Sequence, residues 1–537
     1  MDVRAGNLTV DDSELNADNY GAASGGNLLL AADNQLTLSN GTFVHAIAQA
    51  NGGGPPLTLQ TGSVGNVLID DSQVATGSFG AGNGGTLNID SGTLTVAHQG
   101  AFGSEGTASG NSGNVAIHVS GNMSVSGPFG GIEAFTTGGS SGNAGTISIN
   151  AGSASIVDAQ ISSNTGGSGT SGNVLFQVTG ALSINVTSPQ PNFLVGIASH
   201  AEPGSTGDAE QVSVTAGNLS MSAGGEISSS TFSSGKAGSV VVNVADLLSI
   251  DGLNAAAGVA TGIAAQTNPG STGNGGLVSV TAGSLAMTNG GTISAATFGP
   301  GAGGAVTVGV TGPLSITGAG SAITSEAFSS SGSAGSVNIN AASLALGNGG
   351  KITSQTQGSG AGGNVVIDSG QITLTGPAAQ ISALSSGSGA AGSIAVSATN
   401  MTLQNGGAVT TQAASANGGN IVLSVGDFLH LVHSQITTSV LGSNGNGGNI
   451  TVDPLLLVLD SSSIIAQAVA GHGGNITIVA NNFLPSDDSI VSAIASLYPV
   501  ATIALGGLLQ GQRASRIQIG GIVLALTGAA LLGATSH

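Results

Sequence analysis

The 537-residue chain contains no cysteine and no tryptophan, only 5 basic residues, only 3% aromatics and only 6% charged residues. Each shortage excludes something. Without Cys there are no disulfide staples and no thiolate metal sites, a composition suited to a chain that crosses an oxidising periplasm unfolded. Against 25 acidic residues, the 5 basic ones leave a formal charge of −20. Such a chain repels polyanions and has no basic patch for counterion release, so no nucleic acid is expected as a partner. Proline is also scarce, at 13 residues. What the chain has is 94 Gly and 40% hydrophobic residues. That apolar content is too high for disorder, and the length exceeds what one compact core organises, so a repeat array growing in one dimension is expected.

The repeat is a Gly-rich turn, usually a small polar residue, and then an apolar-x-apolar triplet, as in Gly84-Gly85-Thr86-Leu87, Gly362-Gly363-Asn364-Val365 and Gly447-Gly448-Asn449-Ile450. Counting from the first apolar residue, the anchors are Leu28, Val67, Leu87, Val115, Ile147, Val174, Val212, Val240, Val278, Val306, Val337, Val365, Ile394, Ile421, Ile450 and Ile476. Their mean spacing is about 30 residues, in the range of solenoid repeats. Each period holds three segments of two-residue alternation, for example Val278-Ser279-Val280, Leu285-Ala286-Met287 and Thr292-Ile293-Ser294. Alternation places apolar side chains on one face of a strand, and no period offers a helical i, i+3, i+4 window.

Three strands and three turns per period predict an all-β fold, a right-handed parallel β-helix. This three-sided solenoid would have about 16–18 coils and a length on the order of 80 Å at the usual strand spacing of ~4.8 Å. Residues 1–24 read as an N-terminal edge or truncated coil, 25–497 as the β-helix repeats, and 498–537 as a divergent C-terminal segment or cap with an apolar tail. No basic-then-apolar secretory leader occurs in the first 50 residues, which points to a fragment or a missing start. The uncharged run from Ile517 to Ala534 follows Arg513 and Arg516 and approaches the length of a membrane span, although its glycines favour an irregular cap.

The position before the first strand is Asn at Asn27, Asn66, Asn114, Asn173, Asn364, Asn420, Asn449 and Asn475. Asn tolerates left-handed turns, and stacked Asn side chains can pair amide to amide, so these residues are expected to form a structural turn ladder. Ligand binding, or glycan attachment at Asn-x-Ser/Thr, is the competing reading. Three anchor steps are long: 28 to 67, 174 to 212, and 240 to 278. The last two carry related segments, at 196–207 and 262–273, that read as inserts for recognition or as spacers.

The Gly-Gly-Asn-Ile-Thr motifs resemble the filamentous-haemagglutinin-like exoproteins of two-partner secretion. So does the closing stretch from Gly447-Gly448-Asn449-Ile450 through Leu459-Asp460-Ser461-Ser462-Ser463-Ile464 to Gly473-Gly474-Asn475-Ile476-Thr477-Ile478. The resemblance runs from residue 25 to about 497. It implies a secreted or cell-surface structural adhesin shaft mediating attachment or aggregation, exported through an outer-membrane transporter and facing a host or neighbouring-cell glycan or protein receptor. The chain departs from that family in lacking a recognisable secretion domain before residue 25.

An extracellular polysaccharide-acting β-helix enzyme is the alternative, with a non-adhesive biofilm or toxin-presenting stalk as a third reading. Enzymes of that kind need carboxylates clustered on adjacent coils. The acids are scattered, and the best cluster is Asp70, Asp71 and Asp90. Asp70 and Asp90 lie three residues after the anchors at 67 and 87, so they are the weak candidates for a metal or a coupled carboxyl pair. His430 and His433 face opposite sides of a strand and are not expected to share a metal. Neither a serine elbow nor a phosphate-loop lysine is present. No catalytic residue, cofactor or metal is therefore assigned, and the chain is read as a non-enzyme.

Overall fold

The computed structural model describes residues 1–494 except 129, 191–192, 257–258, 329–330 and 443–444. The C-terminal cap and the apolar tail expected at 498–537 lie outside the described residues. All regular structure among the described residues is β. Every described strand pairs in parallel with its counterpart about one period away, so the described residues wind into a β-solenoid of seventeen coils. Sixteen spacings of ~4.8 Å give a rod about 80 Å long.

Each coil has three strands. The third coil shows them apart, as Leu57–Thr61, Asn66–Asp70 and Gln73–Ser78. In most coils the first two run on as one bent strand, such as Val306–Thr317, and register shifts at Val310/Pro313 and Ala282/Leu285 mark the corner between them. A register shift lets a strand turn that corner without ending its ladder.

Alternation sets the core. In Val306–Thr317, Val306, Val308, Val310, Leu314 and Ile316 point in and are at most 2% exposed. Stacking then aligns like with like. Val278, Val306, Val337 and Val365 succeed one another on the first strand, Leu285, Leu314 and Leu344 on the second, and Ile263, Ile293, Ile323, Ile352 and Ile381 on the third. Nearly all of these side chains belong to one apolar column running the length of the rod. Burying a Val, Leu or Ile contributes about 1.5–3 kcal/mol each, so the column supplies most of the driving force for folding. At its start, Asp2–Asp11 pairs in register with Leu28–Ser39, so residues 1–24 contain a first coil.

Two sequence expectations are corrected. Val67 is not a first-strand anchor: Leu28 pairs with Leu57, and Leu57 with Leu87, whereas Val67 lies on the second strand beside Leu36 and Leu94. The step from 28 to 67 therefore dissolves into steps of 29 and 30 residues. Gly65-Asn66-Val67 imitates the first-strand motif because both strands follow a glycine turn and alternate in the same way.

The other two long steps are real, but most of the added chain lies elsewhere. Gly196–Ala201 is an ordinary third strand paired with Gln160–Thr165, and Thr261–Ala264 pairs with Glu226–Thr231. The added residues sit mainly upstream, between Asn185 and Gly196 and between Asp251 and Thr261. Asp158 pins the start of the first insert by accepting the Thr187 N–H at 2.7 Å and the Ser188 N–H at 3.0 Å. The two inserts lie two coils apart along the same corner.

Candidate functional site

The Asn register is a ladder, of a different kind from amide-to-amide pairing. Each side-chain oxygen accepts the backbone N–H one coil on. Thr146 donates to Asn114 Oδ1 (2.9 Å), Gln211 to Asn173 (3.1 Å), Ser393 to Asn364 (2.9 Å), Asn449 to Asn420 (2.8 Å) and Asn475 to Asn449 (2.8 Å). The reason is the turn itself. Its N–H groups have no strand partner there, and a peptide donor left unpaired costs more than a stretched amide pair returns. Asn66 is outside this ladder: it sits on the second strand between Gln35 and Thr93 and accepts the Thr93 hydroxyl at 2.9 Å. At Asn27, the carbonyl receives the Met1 amino group at 2.7 Å.

A second ladder runs three residues upstream. Asn111 N–H donates to Asn83 Oδ1 (3.0 Å), Asn143 to Asn111 (2.8 Å), Asn446 to Asn417 (3.0 Å) and His472 to Asn446 (3.1 Å). The Asn-x-x-Asn spacing at 111/114, 417/420 and 446/449 was the legible signal for it. Between the two ladders runs a row of glycines whose α-hydrogens point at the coil below.

Asp70 and Asp90 do not meet. Asp70 ends a second strand and pairs with Ala97, whereas Asp90 lies on a first strand between Gln60 and His118. The misplaced anchor at 67 created the apparent pairing. Asp70 instead bonds the His98 imidazole, and that hydrogen bond, with the charge of the same carboxylate, holds His98 above its ordinary pKa. Asp71 and His98 share a corner register with Asn40, Asp158, Asn289, Asn348, Asn405 and Ser461, all in the left-handed region; Asp71 and Ser461 have φ of 46°. Asp and Asn reach that region with little strain, which accounts for the acid content of this corner. No group of three or more metal-ligating side chains occurs among the described residues. His430 lies in the Ile421–Val432 strand against Phe428, while His433 occupies the left-handed corner with φ 47°.

Stacking does gather carboxylates, on the third face and by glutamate. Five of the seven glutamates, Glu14, Glu105, Glu133, Glu226 and Glu326, lie in third strands, and no aspartate does. Their neighbours are small, so burial pushes several upward. Desolvation raises Glu105, Glu133 (with a further push from the Glu202 charge) and Glu326, and raises Glu226 to about 6. His45 on the same face sits between Asp18 (2.9 Å) and Glu14 (3.0 Å). His200 Nε2 lies 3.1 Å from Ser228 Oγ, but His200 is 6% and Ser228 1% exposed, so no substrate reaches the pair. Burial holds the His200 imidazole down to about 4, so it is neutral at physiological pH.

The third face also carries a half-open hollow. In outward columns the second to fifth coils read Phe43, Gln73, Ala101, Gly131, then His45, Ala75, Gly103, Glu133, then Ile47, Gly77, Glu105, Phe135. The small Ala75, Gly77, Ala101, Gly103 and Gly131, set among the larger Phe43, Gln73, Glu105, Glu133 and Phe135, leave a cavity of about 230 Å³. By fold, the chain is a member of the β-solenoids. Comparison with protein-family models, curated proteins and solved structures finds no match.

Proposed function

We propose that this chain is the structural shaft of a secreted or cell-surface bacterial protein, holding adhesive surface away from the cell for attachment or aggregation. The observation that carries the reading is the unbroken in-register parallel stack from Asp2 to the seventeenth coil. Its length comes from adding coils and not from enclosing a central site. Its connections are mostly Gly, Asn, Ser and Thr ladders, held without a disulfide because the chain has no Cys, which suits assembly outside the cell. The resemblance to filamentous-haemagglutinin-like exoproteins supports the same reading and brings an outer-membrane transporter as the export partner. Purified chain should retain bacterial or host cells when immobilised, or should self-associate in sedimentation. A monodisperse rod that retains neither would refute the adhesive part.

A second reading, an enzyme acting on extracellular polysaccharide, is favoured by the glutamates of the third face. Release of unsaturated or reducing ends from uronic-acid polysaccharides, lost in Glu133→Gln, would establish it in place of the first.

A further inference from the structure

From the cavity on the third face, we propose that coils two to five form a binding site for a sugar bearing a free amino group, a hexosamine unit of a cationic glycan. The proposal goes beyond the shaft reading and stands without it, because a rod that presents no adhesive surface could still hold this cavity.

Three observations converge. First, the hollow is built by substitution within a register. The outward position that is Gln160, Gln380 and Gln435 farther along the rod, and Gln73 at the wall of the hollow, falls to Ala101 and Gly131 here, and the next column is Ala75 and Gly103. Deleting those side chains opens about 230 Å³, below the roughly 300–1,000 Å³ of sites that enclose drug-sized ligands and suited to a single ring. Second, the rim is aromatic in a chain with 3% aromatics: Phe43 closes one end, Phe135 the other, and Phe79 stands at the side, 39% exposed. The exposed Phe79 ring and the half-buried Phe43 and Phe135 rings, around a floor that includes Ala and Gly, offer apolar surface to the flat face of a pyranose.

Third, Glu105 and Glu133 line the same hollow, with no hydrogen-bond or ion-pair partner among the described residues, and no Lys or Arg lines it. Half-buried carboxylates without a partner are costly, and desolvation already holds both above the ordinary carboxylate range. An ammonium group relieves that cost and is attracted to the ring faces beside it. The overall charge of −20 draws a cation in and repels uronic or sulfated sugars. A lysine side chain could satisfy the carboxylates but is too thin to cover both the floor and the rim.

The test uses the full chain in calorimetric titrations with four probes: a glucosamine oligomer, its fully N-acetylated counterpart, oligolysine and oligogalacturonate. The glucosamine oligomer should bind at least about tenfold tighter than each of the others, about 1.4 kcal/mol. Glu133→Gln and Phe135→Ala should each weaken it about tenfold on the same scale. Ala101→Gln should abolish binding by filling the hollow, and because Gln occupies this register in four other coils the variant keeps its fold. Gln412→Ala, on the same face far along the rod, should change nothing. Equal binding of the N-acetylated oligomer or of oligolysine, undiminished binding in Ala101→Gln, or no binding at all would overturn the assignment. None of these results would touch the shaft reading, which cell retention tests separately.

Discussion

Replacing Gly419 by alanine tests the stacking most directly. Gly419 lies two residues before the Ile421 anchor, in a register occupied by glycine in most coils, including Gly335, Gly363, Gly392 and Gly448. A Cβ there would lie 2.6 Å from the carbonyl carbon of Gly392 one coil below and closer still to its oxygen. Carbon atoms settle at about 3.5–4.0 Å, so the coils would have to part by about 1 Å in a ladder of fixed spacing. Overpacking of this kind costs about 1–3 kcal/mol, and the immobile backbone on both sides puts Gly419→Ala toward the upper end, about 2–3 kcal/mol.

In a linear array that loss falls on one interface, between the fourteenth and fifteenth coils. The outcome is local: hydrogen exchange from Ile421 onward should accelerate by roughly 30–150-fold while the amides of coils five to ten keep their protection. Gly26→Ala is the control, since Gly26 holds the same register in the second coil and an added Cβ there meets nothing within 4 Å. It should be neutral, or slightly stabilising through the unfolded chain. If Gly26→Ala were as damaging as Gly419→Ala, or if Gly419→Ala left exchange unchanged, close approach between coils would not be the reason for the glycines. The register tolerates two departures, Pro55 and Glu210, and nothing in the structure explains how those coils accommodate them.

Three further outcomes follow from the ladders and buried groups. Asn449→Ala leaves the Asn475 N–H without its 2.8 Å acceptor and should cost about 1 kcal/mol in denaturant midpoint, whereas Asn27→Ala, whose ordered contact is through its backbone carbonyl, should cost almost nothing. The Glu226 carboxyl, raised from 4.5 to about 6, binds its proton more tightly in the folded chain. Its contribution is therefore complete below pH 4.5 and fades by up to about 2 kcal/mol as pH rises through 6. The His200 imidazole, lowered from 6.5 to about 4, works in the opposite sense: stability is complete above pH 6.5 and is lost as pH falls toward 4. The two oppose each other between pH 4.5 and 6, so the rise of melting temperature with pH in that window should steepen in Glu226→Gln and turn into a fall in His200→Gln; slopes unchanged in both would refute the burial argument. Finally, NMR titration of His98 should give a lower pKa in Asp70→Asn and no change in Asp90→Asn, because only Asp70 touches the ring. A shift in the second variant would restore the stacked-carboxylate arrangement that the strand pairing contradicts.

The sequence by itself determined the class of fold, because the signal is short-range and repeated. Two-residue alternation gives three strands per period, and recurrence of a glycine two residues before Val278, Val306, Val337 and their kin leaves vertical stacking as the arrangement that buries every apolar residue at once. Turn-forming Asn could be read the same way, since Asn114, Asn173, Asn364, Asn420, Asn449 and Asn475 share one offset from a strand. Only the tertiary structure decided which corner each turn belongs to. Gly65-Asn66-Val67 and Gly113-Asn114-Val115 are locally alike, and only their partners one coil away, Gln35 against Leu87, tell second strand from first. The pairing of Asp70 with Asp90 fell with that one misplaced anchor. The cavity was out of reach for the same physical reason: Phe43, Ala75, Glu105 and Phe135 become neighbours through turns of varying length, and a hollow is made by side chains that are small relative to others in their register, which can be seen only when the register is known.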